Sequence, residues 1–194
     1  MTHKKHITGI ILAGGKSSRM GTDKGFLSFN GKTFTQHSID ALSPLVDDII
    51  IVSNDNKYDS FNLKRVEDLI ENSGPLAGIY TGLYHSKTNN NIVLSCDIPM
   101  IDHIVLEELI QQNTAEVDVT LIESKNKQMP LIALYKKDCI HKCLELLNTG
   151  ERRLKVLIEN LKSKIILLEQ PLEKHTANIN TQLELNTLIN ELEH

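Results

Sequence analysis

Short runs of β-branched and aliphatic residues alternate along the chain with segments whose apolar positions recur every three or four residues. The runs at 7–12, 48–52, 63–66, 91–95, 117–122, 131–135 and 164–168 predict strands. The segments at 33–42, 76–86, 104–112, 137–147, 152–161 and 181–192 predict helices, as the spacing of Leu154, Leu157, Ile158 and Leu161 illustrates. The strands are continuously apolar instead of alternating, so both of their faces are expected to be buried. Strand–helix alternation of this kind predicts a three-layer α/β/α domain with a mainly parallel sheet. Residues 123–128 read as a hairpin connection, which makes 131–135 an antiparallel strand. In open sheets of this type ligands bind beyond the carboxyl ends of the strands. Chemistry is therefore expected just after Leu12, Val52, Val66 and Ser95.

The length of 194 residues fits one domain, taken as residues 1–191, with no internal repeat and no low-complexity linker. Leu192, Glu193 and His194 match the start of an expression-tag scar and are set aside. The formal net charge is −4 with both signs mixed, so no basic stripe for a nucleic-acid backbone is expected. A local cationic cluster can still bind a small anion. No apolar run approaches the ~20 residues of a membrane span, and no signal-peptide block follows the first lysines. Three cysteines without metal-ligand pairing point to a reducing compartment, and the cytoplasm is the expected location.

The strongest local signal is the run LAGGKSSRMGTDKG from Leu12 to Gly25, in which an apolar strand passes into glycines and three cations. Glycines let backbone amides approach an oxyanion, and Lys16, Arg19 and Lys24 can neutralise phosphate. The bland alternative is a surface turn. Gly15-Lys16-Ser17 is not a P-loop, because Ile10 stands where its first glycine belongs, and the dinucleotide spacing G-x-G-x-x-G is absent. Asp97 follows the 91–95 strand, where a single carboxylate suits Mg²⁺ that takes its other ligands from phosphate and water. A helix N-cap is the alternative for Asp97, although Asp102 fits that cap better. Asp68 lies on the same edge and reads equally as a ligand group or a solvated loop carboxylate. Gly74-Pro75-Leu76-Ala77-Gly78 reads as a turn into a helix whose small residues would wall a pocket. Asn54 is expected to contact base or ribose. Arg152 and Arg153 sit at a helix start, where the dipole disfavours cations. Either an acceptor phosphate or a local acid such as Glu151 holds them. Cys139 and Cys143 share a helix face and read as core thiols, and no Ser/His/Asp arrangement appears.

The run LAGGKSSRMGTDKG resembles the signature loop of the molybdenum cofactor guanylyltransferases within the nucleotidyltransferase superfamily. Further patches carry the resemblance along nearly the whole chain: Val66-Glu67-Asp68, Gly74–Gly78, Cys96-Asp97-Ile98-Pro99, Pro130–Leu134, Gly150-Glu151-Arg152-Arg153 and Asn178-Ile179-Asn180-Thr181. The resemblance implies a Rossmann-like nucleotidyltransferase fold and transfer of GMP from GTP to molybdenum-molybdopterin with release of pyrophosphate. It implies that the loop at Leu12, Ala13, Gly14 and Gly15 and the carboxylate of Asp68 contact GTP, in a pocket that Asn54 and Gly78 are expected to line. Lys24 and Arg19 would neutralise its phosphates, and Asp97 would carry Mg²⁺. Asn178, Asn180, Arg152 and Arg153 would face the pterin acceptor. Cofactor-delivery or acceptor enzymes would be its protein partners. Two departures stand out: Gln182 replaces the proline of the family's Asn-x-Asn-Thr-Pro segment, and Met129 precedes Pro130 where a polar ring or cation is common. The alternatives are a transferase acting on a sugar or alditol phosphate, the cytidylyl-transferring counterpart, or a non-catalytic nucleotide-binding protein. The joint presence of Lys24 and Asp97 counts against the last.

Overall fold

The computed structural model of the chain describes residues 6–14 and 23–192. Among them, nine strands run in chain order: β1 (Ile7–Leu12), β2 (Ser28–Phe29), β3 (Lys32–Thr33), β4 (Asp48–Val52), β5 (Lys64–Val66), β6 (Asn90–Ser95), β7 (Val119–Ser124), β8 (Lys127–Lys136) and β9 (Ser163–Leu167). The helices are α1 (Phe34–Leu42), α2 (Gly74–His85), α3 (His103–Gln112), α4 (Cys139–Asn148), α5 (Leu154–Glu159) and α6 (Gln182–Leu192). Seven strands form one sheet in the order β5-β4-β1-β6-β8-β7-β9, and β2 pairs with β3 apart from it. All neighbours in the large sheet are parallel except at β8, which is antiparallel to both β6 and β7. This is the mainly parallel three-layer α/β/α arrangement expected from the pattern, with its antiparallel strand in the expected place.

Successive residues of each central strand enter opposite cores. Ile11, Ile51, Ile92, Leu94 and Leu134 pack with Leu42, Val105, Leu106 and Leu109 of α1 and α3. Ile10, Ile50, Val93, Leu121 and Ala133 pack with Leu76, Leu83, Cys143 and Leu157 of α2, α4 and α5. Both faces are therefore dry, as continuous apolar strands require. Cys139 and Cys143 lie in this second core, where burial pushes both thiols up to about 12. A third, smaller cluster of Phe29, Phe34, Ile179, Leu185 and Leu188 docks α6 on the β2–β3 hairpin and the start of α1. Among the described residues no helix is long and apolar enough to cross a membrane.

Several boundaries differ from the sequence expectation. The β7–β8 turn is tighter than expected: Lys125 and Asn126 both have positive φ, the geometry of a two-residue hairpin. Both strands accordingly run further toward the turn. Their register shifts between Leu121 and Ile122, which pair with Ala133 and Met129, so Pro130–Ile132 form a bulge. Proline, which cannot donate to a ladder, is tolerated there. Helix α5 is shorter than 152–161, because its N-cap is Arg153 and its C-cap Asn160. The β2–β3 hairpin was not expected, although Asn30 and Gly31, both at positive φ, are a strong turn pair.

Helix α2 lies close on β1 because it presents glycine to it. A Cβ on Gly82 would come within 2.4 Å of Ile10 Cγ2, and one on Gly78 within 3.1 Å of Leu12 Cδ2. Overpacking a core costs ~1–3 kcal/mol, while replacing helical glycine with alanine returns up to ~1 kcal/mol. Gly82→Ala is therefore expected to lower unfolding stability by about 1 kcal/mol in urea titrations. Wild-type stability in that variant would mean that α2 stands further from the sheet.

Candidate active site

The chain climbs outward from β1 to β4 and β5, then crosses back to β6 on the other side of β1. That reversal puts a crevice at the carboxyl ends of β1 and β6, where open sheets bind ligands. Leu12 pairs with Ser95 across the two strands, and the Cys96 amide donates to the Leu12 carbonyl at 3.2 Å. Just beyond, the Ala13 amide donates to Val52 O at 3.0 Å. Gly14 has φ +122, and a Cβ there would lie 3.3 Å from Ser53 Oγ. The backbone thus favours glycine at this position. The Cys96 thiol beside it is pushed up to about 12, first by burial and then by the carboxylates of Asp97 and Asp23. It stays protonated and is no nucleophile at neutral pH.

Four of the side chains named from the sequence meet at this edge. Lys24 Nζ donates to Asn180 Oδ1 at 2.6 Å and lies 3.7 Å from Asp97 Oδ2. Asn178 Nδ2 donates to Asp97 Oδ1 at 3.2 Å, and the Ile179 amide donates to the Asp97 carbonyl at 2.8 Å. Ser95 Oγ donates to the same carboxylate oxygen, Oδ1, at 2.6 Å. Lys24 and Asp97 keep 22% and 15% of their side-chain surface exposed, so the pair is sheltered but reachable. The Asn178–Asn180 segment is fixed from below by buried Ile179 and from ahead by a capping box. In that box Glu184 Oε2 accepts from the Asn180 and Thr181 amides, and Thr181 Oγ1 accepts from the Glu184 amide. Gln182 in place of proline therefore leaves the turn well held. Asp102 caps α3 by accepting from the Ile104 amide, which frees Asp97 from that duty.

Next to this cluster opens a cavity of about 1400 Å³. Its walls include Leu12, Ala13, Gly14, Asn54, Asp68 and Gly78, together with Asp23 and Ser95. Leu131 reaches it from the β8 bulge, a placement for which bulges are often used. Asn54 Oδ1 accepts from the Asp68 amide at 2.8 Å and Asn54 Nδ2 donates to Asp68 Oδ2 at 3.5 Å, which orients the two side chains as a unit. Asp68 Oδ1 is buried without a hydrogen-bond partner, and burial raises the pKa of its carboxyl. An unpartnered acceptor in a cavity wall is suited to a ligand's N–H or O–H.

The α4–α5 turn lies toward the same end of the sheet, since β8 ends and β9 starts at the opposite one. There Arg153 Nε donates to Glu151 Oε1 at 2.9 Å, and Arg152 Nη1 donates to the Glu151 and Leu147 carbonyls. The Arg153 guanidinium and the amides of Arg153 and Arg152 hold the Glu151 carboxyl down to about 2. The local acid Glu151 thus holds Arg153, while the Arg152 guanidinium rests on backbone carbonyls. Neither arginine is among the cavity-lining residues. Gly15 and Arg19 lie outside the described residues. Ser95, Asp23 and Tyr58 were not singled out from the sequence. Asp23 stands beside Lys24 in the motif and was open to inspection, whereas Tyr58 carries no local signal.

Among the described residues no group of three His, Cys, Asp or Glu side chains surrounds a common point, so no closed metal cage exists. An open site suits Asp97: its Oδ1 is occupied by Ser95 and Asn178, while Oδ2 faces the crevice cation Lys24. One hard oxygen donor beside a cavity is compatible with Mg²⁺, which takes one or two carboxylates from a protein and its other ligands from substrate and water.

Fold, crevice and kinship together define a nucleotidyltransferase. Residues 9–165 match the family model of the MobA-like NTP transferase domain. A relative from Flavobacterium johnsoniae, named a probable molybdenum cofactor guanylyltransferase, is 38% identical over 94% of this chain and 96% of its own. The molybdenum cofactor guanylyltransferase of Vibrio vulnificus is 32% identical over 91% of each chain. The crystal structure of molybdopterin-guanine dinucleotide biosynthesis protein A from Archaeoglobus fulgidus superposes with a TM-score of 0.80. It covers 96% of this chain and 98% of that one at 23% identity. The chain belongs to the MobA-like NTP transferase family.

The raised pKa of Asp68 gives a pH signature. Its folded value lies above the ordinary 3.8, so the unfolded chain loses this proton first as pH rises. The folded state is then penalised increasingly from about pH 4 upward, fully once the folded carboxyl has ionised. Asp68→Asn is expected to be at least as stable as wild type at pH 7 and to lose that advantage near pH 3.5, read by denaturant titrations at both pH values. A variant destabilised at pH 7 would show that the Asn54 bond to the charged carboxylate outweighs the cost of its burial.

Proposed function

We propose that this chain transfers GMP from GTP to molybdenum-molybdopterin, releasing pyrophosphate and forming the guanine dinucleotide form of the cofactor. The work is assigned to a single domain spanning residues 1–191, acting in the cytoplasm alongside enzymes that deliver or accept the cofactor. The observation that carries the reading is the convergence of Lys24 and Asp97, 3.7 Å apart, beside the cavity that their neighbours Asp23 and Ser95 line together with Ala13 and Gly14. The names borne by the relatives support the choice of GTP and of the pterin acceptor.

The acceptor is already a phosphate monoester, so the protein needs no nucleophile of its own. An acceptor phosphate oxygen attacks the α-phosphorus of GTP, a new phosphoanhydride bond forms, and the bond to the bridging oxygen of the leaving pyrophosphate breaks. Catalysis then consists of positioning and charge neutralisation. The turn after Ala13, with Gly14, Gly15 and Arg19, holds the phosphates, the Ala13 amide being already taken by Val52. Lys24 exchanges Asn180 for the phosphate chain and offsets the negative charge that grows on pyrophosphate. Asn54, Asp68 and Gly78 receive the nucleoside, with the free Asp68 oxygen accepting from it. Mg²⁺ bound through Asp97 would supply Lewis-acid charge to the reacting phosphates. Ser95 and Asn178 keep that carboxylate turned toward the crevice. Asn178 and Asn180 face the acceptor side. An acceptor phosphate would have to compete with Glu151 for Arg153.

The test is pyrophosphate release from radiolabelled GTP with Mg²⁺, with and without the molybdenum-loaded acceptor. Turnover should require the acceptor and favour GTP over CTP, and a preference for CTP would sink the guanine assignment. Lys24→Ala and Asp97→Ala are each expected to fold normally and to lose at least ~100-fold in kcat. Wild-type turnover in either variant would remove that residue from the machinery.

A further inference from the structure

Lys24 has a flexible stem, so its usefulness depends on how firmly its own backbone is held. It is the first residue of a three-residue 3-10 turn, Lys24–Phe26, whose N-cap is Asp23. Asp23 Oδ1 accepts from the Gly25 amide at 2.9 Å, closing that turn, and from the hydroxyl of Tyr58 at 2.7 Å. From the other side Thr35 Oγ1 donates to the Gly25 carbonyl at 3.0 Å. Gly25 is squeezed between the two hydroxyls: a Cβ there would lie 2.7 Å from Thr35 Oγ1 and closer still to Tyr58. The turn carrying Lys24 is thus clamped through its neighbours on both sides.

Tyr58 is wholly buried, and its ring packs against Phe26 at 4.8 Å and Phe61 at 6.0 Å between centroids. The chain has only eight Phe and Tyr residues, so three of them gathered on one short turn mark a deliberate anchor. Burial raises the pKa of the phenol far above its ordinary range, so the hydroxyl remains a donor at every pH the enzyme meets. A buried tyrosine hydroxyl needs some partner, and any backbone carbonyl would serve for stability alone. Here the partner is the carboxylate adjoining the phosphate-binding lysine. Tyr58 also follows directly on residues 54–57, which line the nucleoside side of the cavity, and Asp55 caps its turn by accepting from the Lys57 amide. One continuous path of held groups therefore runs from that wall through Tyr58 and Asp23 to Lys24.

We propose that Tyr58 is a positioning residue for phosphate binding: its hydroxyl, by holding Asp23, fixes the turn that aims Lys24 at the triphosphate. The proposal rests on the reading of Lys24 given above. It assigns Tyr58 and Asp23 an effect on the phosphate tail of the nucleotide and none on its nucleoside end.

The experiment is a double-mutant cycle of Tyr58→Phe and Lys24→Ala, with GTP and GMP affinities, kcat and KM measured beside thermal unfolding. Tyr58→Phe should weaken GTP binding roughly tenfold while GMP binding changes less than about twofold. In the Lys24→Ala background the same change should alter GTP binding less than about twofold, because the group it positions is gone. Asp23→Ala is the second variant, with the aromatic anchor intact. It should also weaken GTP, even though deleting a negative charge from a cavity wall would by electrostatics alone tighten a polyanion. Equal loss of GTP and GMP affinity, additive effects in the cycle, or tighter GTP binding by Asp23→Ala would each overturn the proposal. If Lys24→Ala binds GTP like wild type, the assignment of Lys24 itself fails, a result separable from the others.

Discussion

Six consecutive residues of β1 pair in parallel with six of β6, and this register determines where the charged groups of the crevice end up. Leu12 and Ser95 finish side by side, so the turn that leaves one strand and the carboxylate two residues past the other emerge at one point. A slip of one residue would turn every side chain of β6 to the opposite core. It would bury Asp97 or aim it away from Lys24. The apolar content of both cores, which makes such a slip costly, therefore fixes where the Asp97 carboxylate emerges, while the contacts of Asp23, Tyr58 and Thr35 hold the turn that brings Lys24 to within 3.7 Å of it.

Around that point the fold adds supports from remote parts of the chain. The close seat of α2 on β1 brings Gly78 to the cavity wall, and the β8 bulge brings Leu131. The segment before α6 reaches across from far down the sequence and touches both Lys24 and Asp97. It is held there by buried Ile179 and by the Thr181–Glu184 capping box, not by any strand pairing. The site is thus assembled on rigid edges of secondary structure and closed by a short irregular segment with its own small core.

Most of the architecture is written in local patterns. Continuous apolar strands announced a sheet covered on both faces, and the spans of β1 and β4 were read to the residue. Glycines followed by cations after β1, and an aspartate after β6, named side chains that do meet. What escaped detection depends on partners that are distant in sequence. Residues 117 and 118 look like strand, yet β7 starts at Val119 because its neighbour β9 begins opposite it at Ser163. Tyr58 is an ordinary aromatic residue in sequence, and only the tertiary structure shows that its hydroxyl ends on Asp23. The Asn30-Gly31 pair is the exception: its signal was local, and strands of two residues were too short for a periodicity to register.

The Lys24–Asn180 contact spans 156 positions of chain, and the Asn178–Asp97 contact spans 81. During synthesis the sheet center and the glycine turn leave the ribosome long before the residues that complete the crevice. A nascent chain can bury its central strands and still lack the groups that hold Lys24 and Asp97 in line. The crevice is thereby completed late, when residues 178–180 close on two groups laid down far earlier in the chain.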